Sequence, residues 1–142
     1  MIDIDFDCIK DIMNYLQDHL GYEPDGITKI KINWTTVCQD EFLLETYTEN
    51  QIRYNLEQLY RQGYLVLSNF YEIKAKAKII TFIICDFTPE GHALLDNMQN
   101  LTVWKKTKEK LKPLGNVAFD VFTKVLASVA TEMIKATIAG GA

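Results

Sequence analysis

The chain has 142 residues, 48% hydrophobic and 24% charged, the balance of an ordinary globular protein with a single domain's worth of core. Its net charge of −4 disfavours indiscriminate binding to phosphates. No apolar run is long and uncharged enough to span a membrane, and the acidic N-terminus does not read as a signal peptide. The three cysteines, Cys8, Cys38 and Cys85, show no zinc or redox spacing, so reduced thiols in a cytoplasmic protein are the expectation.

Phe6, Ile9, Met13, Leu16 and Leu20 recur at spacings of three and four, which predicts an amphipathic helix. Asp3, Asp5 and Asp7 stand at its start, where acids cap free N–H groups and suit the helix dipole, and Gly21 can stop it. Ile30, Ile32 and Trp34 alternate with Lys29, Lys31 and Asn33, the pattern of a half-buried strand. A short helix over Gln39–Thr46 follows. Thr48 and Gln51 then match a capping box opening a longer helix, with Ile52, Leu56, Leu59 and Tyr60 inward and Gly63 at its end. The apolar runs Tyr64–Ile73 and Lys78–Phe87, joined around Ala75–Ala77, predict a β-hairpin. Thr88-Pro89-Glu90 starts the next helix, with Gly91, Leu94, Leu95 and Met98 on its inner face. Asn100 can cap a helix over Val103–Lys112, stopped by Pro113, and a last helix runs from Val117 to Ile138. The class is α+β, mostly helical, with a winged-helix core in the order α-β-α-α-β-β and additional C-terminal helices. Residues 1–113 read as the winged-helix-like domain and 114–142 as a C-terminal amphipathic helix.

The stretch LEQLYRQGYL, the hairpin after it and FTPEGHALLDNMQNLTVWKKTKEKL together resemble a bacterial and prophage family known as a domain of unknown function, number twenty-five-thirteen. Thr88–Leu111 carries most of the likeness: T-x-E-G-H, then a Leu-Asp pair, then T-V-W-K-K. The resemblance implies a winged-helix-like fold and a phage or prophage setting. It transfers no catalytic residue. The acidic N-terminus and the lysine-rich hairpin tip have no counterpart in the family pattern.

Asn50, Arg53, Tyr54 and Asn55 are the residues a DNA-reading helix would use here. Glu49, Arg53, Glu57 and Arg61 recur every four residues, however, so a self-paired solvated face competes with that reading and is preferred. Lys74, Lys76 and Lys78 alternate and would project together from a wing tip against a phosphate backbone, or simply guard a sheet edge. The lysines of VWKKTKEKLK spread around their helix, whose Trp104, Lys108 and Leu111 share one side. His92 lies four residues before Asp96, but no nucleophile is suggested nearby; an ordinary structural histidine is the reading. His19 suits the negative pole of the first helix. With two histidines, no clustered cysteines, no phosphate-binding glycine loop and no EF-hand pattern, no metal, cofactor or catalytic residue is expected.

The last helix carries a wide apolar band of Ala118, Val121, Phe122, Val125, Leu126, Val129, Met133, Ile134 and Ile138. Part of it could pair with a second copy, giving a homodimer through residues 117–138; its polar side has no net positive charge to favour a membrane. The sequence therefore reads as a non-enzymatic binding protein. Fold analogy favours duplex DNA as the target by a narrow margin. The alternative is a winged helix reused to engage a host protein, which the neutral helix face, the acidic first helix and exposed tyrosines at Tyr47 and Tyr54 would serve.

Overall fold

The computed structural model describes residues 4–140, so Asp3 lies outside the described residues. The class is α+β and mostly helical. The chain divides into two compact units, Met1–His92 and Ala93–Ala142.

In the first unit, helix α1 spans Phe6–His19, capped by Asp5, whose carboxylate accepts the Cys8 N–H. Cys8, Ile9, Ile12, Met13 and Leu16 are buried along one face of α1. Each buried aliphatic side chain there contributes about 1.5–3 kcal/mol, which holds the helix where its own propensity would not. His19 Nδ1 lies 2.7 Å from the Tyr15 carbonyl in the last turn, and its ring stacks on Tyr15. A loop follows. Its Asp25 carboxylate accepts the N–H groups of Ile27 and Thr28 and the Thr28 hydroxyl, and Tyr22 bridges to Lys29.

The strand expected over Ile30–Trp34 shrinks to two residues, β1, Ile32–Asn33. Asn33 is the cause: its side chain accepts the Thr35 N–H and caps a helix, so Trp34 opens α2, Trp34–Cys38. The short helix expected at Gln39–Thr46 is α3, Glu41–Thr46, which starts two residues later because Asp40 caps it by accepting the Leu43 N–H; α2 before it was not expected. α4, Glu49–Arg61, begins with the expected reciprocal capping box of Thr48 and Gln51. It ends at Gly63, whose φ of +85° turns the chain toward the sheet at no steric cost.

The hairpin pairs β2, Leu65–Ile73, with β3, Lys78–Phe87, and β1 adds to the other edge of β3, giving the antiparallel order β1-β3-β2. Ile32, Phe82 and Ile84 are buried, facing the helices. Tyr60 of α4 meets this layer through Phe70 and Phe82, with ring centroids 4.7 and 5.4 Å away. Thr88 closes the corner after β3: its hydroxyl donates to the Gly63 carbonyl and accepts the Gly91 N–H. α5, Pro89–Gln99, begins there. A Cβ on Gly91 would lie 2.2 Å from the Tyr64 carbonyl oxygen, so only glycine fits.

Leu94, Leu95 and Met98 of α5 are buried, as their spacing predicts. In the second unit, Asn100 accepts the N–H groups of Thr102 and Val103 and caps α6, which starts two residues earlier than expected, Leu101–Leu111. α7, Phe119–Gly140, packs on α6 through Phe119, Phe122, Leu126 and Val129, with Phe122 edge-on to Trp104 and Lys110 bonded to Glu132 at 3.3 Å.

Candidate docking surfaces

α4 is the helix on which the DNA reading rests, and its side chains are largely spoken for. Arg53 donates to Glu49 at 3.1 Å, and its guanidinium carbon lies 4.8 Å from the centre of the Trp34 ring. It also sits close enough to Cys38 to pull that thiol down, although burial prevails and leaves it at about 11. Arg61 bridges Glu57 at 2.9 Å and Glu72 of β2 at 2.6 Å. The i,i+4 pairs are worth about 0.3–0.5 kcal/mol and the exposed cation–π contact about 0.5–1 kcal/mol. A good base contact, at about 1–3 kcal/mol, could break them. It would still leave Glu49 and Glu57 on the same face, repelling phosphates.

Asn55 does not face outward. It is fully buried, with Oδ1 accepting the Asp5 N–H at 2.9 Å and Nδ2 donating to the Gln51 carbonyl at 2.8 Å. Tyr47 is corrected too: it is 8% exposed, and its hydroxyl donates to Asp11 at 2.6 Å, which together with burial raises its pKa. Tyr54 is half-buried, and Asn50 is exposed.

The hairpin tip departs from the expected alternation. Lys74–Lys76 forms a single 3₁₀ turn, and Ala77 adopts the left-handed conformation at φ +49° before Lys78 resumes the strand. Three residues complete such a turn, so Lys74 and Lys76 diverge instead of lining one side. All three lysines are exposed. They do not form the single-sided comb that the alternating spacing suggests.

The partner of His92 is Asp86, 3.6 Å away, and not Asp96; Phe87 meets its ring edge-on. Asp86 also bonds Lys29 at 2.7 Å, and that lysine holds its carboxyl below the usual value. Among the described residues no group of three His, Cys, Asp or Glu side chains could hold a metal ion, and no helix is long and apolar enough to cross a membrane.

Two features were not singled out from the sequence. An open hollow of about 590 Å³ is lined by Tyr15 of α1, Thr35 and Thr36 of α2, Gln39 and Asp40 of the connection, and Glu41 of α3. Next to Glu41, Phe42 is 71% exposed. A signal for Phe42 was present: Phe42, Leu43 and Leu44 are consecutive on a six-residue helix, and at ~100° per residue they cannot all point inward. Leu43 is the one that is buried. The hollow left no signal, because its lining comes from three elements.

Charge divides sharply between the units. Residues 1–92 hold fifteen acids and eight bases, net −7; residues 93–142 hold four acids and seven bases, net +3. On α7 the buried stripe stops at Val129, while Ile134 and Ile138 are 61% and 69% exposed.

The model of one family, described as "Hypothetical protein (DUF2513)", matches residues 3–117. No curated protein and no solved structure matches the chain.

Proposed function

The chain belongs to this family, and from that premise we propose that it acts by binding, with residues 1–92 serving as a winged-helix module that docks another protein. The element order of that unit and its β1-β3-β2 sheet support the winged-helix reading. The observation that carries the choice of partner is the chemistry of α4: both its arginines are bound to carboxylates, inside a unit of net −7. A duplex carries one negative charge per ~1.7 Å of axis, so such a surface approaches it against its own field. A basic protein surface is drawn to the same field, and the exposed Phe42 adds the kind of aromatic contact that interfaces favour. In a phage or prophage setting, a host protein is the partner this reading fits.

Duplex DNA is the second reading, favoured by the exposed Lys74, Lys76 and Lys78 and by the lysines of α6 in a unit of net +3. Pairing of two copies through residues 117–138 is compatible with either, because the exposed Ile134 and Ile138 would be covered.

The test uses the immobilised full chain in a cell lysate and a parallel titration with random-sequence duplex. Protein docking predicts a retained protein whose yield falls when Glu23 and Glu45, both outside the hollow, are reversed to lysine. Salt-steep duplex binding that is lost when Lys74, Lys76 and Lys78 become glutamate, with no charge-sensitive protein retention, overturns it.

A further inference from the structure

We propose that the hollow between α1 and the α2–α3 connection receives a cationic side chain, arginine or lysine, projecting from the partner protein. This inference rests on the protein-docking reading above and names its contact point.

The lining supplies what a guanidinium or ammonium requires. Tyr15 gives an aromatic surface, Asp40 and Glu41 give two carboxylates, and Thr35, Thr36 and Gln39 give neutral polar groups; no lysine or arginine lines it. Asp40 spends one oxygen, Oδ2, on the Leu43 N–H at 3.1 Å and keeps Oδ1 for another donor. The Asp40 charge is felt at the Tyr15 phenol, whose pKa is raised by burial and by that carboxylate, so ring and acid share one environment. His19 stacks on Tyr15 with ring centroids 4.1 Å apart, and its Nδ1–H donates to the Tyr15 carbonyl at 2.7 Å. The hollow is open to solvent, so a side chain from another surface can reach its carboxylates without entering a closed cavity.

A side chain from a polypeptide fits better than a free ion. Two carboxylates without a third ligating group do not make a metal cage, and among the described residues no such trio exists. Phe42 stands immediately beyond Glu41 and is 71% exposed, offering an apolar surface for the residues flanking an inserted cation. The net −7 of the unit draws a basic segment toward the unit, and Asp40 and Glu41 give it a place to settle.

The experiment is a titration of the ¹⁵N-labelled full chain with ethylguanidinium chloride, at constant ionic strength, with uncharged N-ethylacetamide as control. The proposal expects cation-specific shifts concentrated on the amides of Tyr15, Thr35, Thr36, Gln39, Asp40 and Glu41. Replacing Asp40→Asn and Glu41→Gln together weakens binding about fivefold or more, whereas Glu109→Gln, at an exposed position of α6, leaves it unchanged. Asn at position 40 still caps α3, and the spectrum itself reports whether the fold is kept. Shifts spread over all acidic segments, equal shifts with the uncharged control, or unchanged affinity in the double variant overturn the site. If the site fails while protein retention still falls on reversing Glu23 and Glu45, only the contact point is lost; if retention is insensitive to those charges, the docking reading falls as well.

Discussion

Asn55 Oδ1 accepts the backbone N–H of Asp5 at 2.9 Å, joining the middle of α4 to the cap of α1 across fifty positions of sequence. The same side chain donates to the Gln51 carbonyl, so one buried amide satisfies two backbone groups. Asn55→Ala leaves the part-buried Asp5 N–H without a partner, at about 1–3 kcal/mol, whereas the Gln51 carbonyl keeps its helical bond from residue 55. Chemical unfolding should register a loss of at least about 1 kcal/mol with an unchanged denaturant slope. A variant as stable as the parent would show that the amide is a spectator.

The two buried thiols should resist alkylation. Burial raises Cys8 to about 12, with the nearby carboxylates of Asp5 and Asp11 adding to the effect, and raises Cys38 to about 11. At pH 8 the thiolate, the nucleophilic form, is then a minute fraction at either site, and both are sterically covered. Cys85 is half-exposed, with its thiol donating to the Val66 carbonyl at 3.5 Å. Native protein treated with iodoacetamide should gain one label, at Cys85, and denatured protein three, as read by mass spectrometry. Rapid labelling of Cys8 in the native chain would contradict the packing of α1.

The Lys29–Asp86 contact gives stability a definite direction with pH. Lys29 holds the Asp86 carboxyl below its ordinary value, so between the folded and unfolded pKa values the unfolded state binds more protons. The contribution is complete above about pH 4 and is lost as pH falls through the lowered folded value. Melting temperatures of the parent and Asp86→Asn should differ at pH 6 and converge as the pH drops below about 4. A gap that stays constant over that range would remove the ion pair as its cause.

Much of the fold was legible because it is written in local chemistry. The capping box of Thr48 and Gln51, the asparagine cap at Asn100, the Gly63 stop and the buried stripe of α1 follow from neighbours within a turn of each other. The misread places are where a local pattern met a stronger competitor. Ile30, Ile32 and Trp34 alternate like a strand, but Asn33 caps a helix and ends it at two residues. Lys74, Lys76 and Lys78 alternate like strand residues, but a 3₁₀ turn and a left-handed Ala77 break their alignment. Asn55 and Tyr47 look like surface polar residues until α1 arrives from a distant part of the sequence to bury them. The charge pairing of α4 was legible from its four-residue spacing. The added tie of Arg61 to Glu72 and the seat of Arg53 on Trp34 needed the tertiary fold.

The most direct measurement of the central claim, that the face of α4 does not read bases, is the affinity of the full chain for duplex DNA when that face is stripped. Asn50, Arg53 and Tyr54 are changed to alanine singly, folding is verified by circular dichroism, and each variant is titrated at about 50 and 200 mM salt, the span over which phosphate contacts declare themselves. The account predicts that whatever duplex affinity exists changes by less than about twofold. A loss of about tenfold or more, the signature of a base contact worth over about 1 kcal/mol, would contradict it.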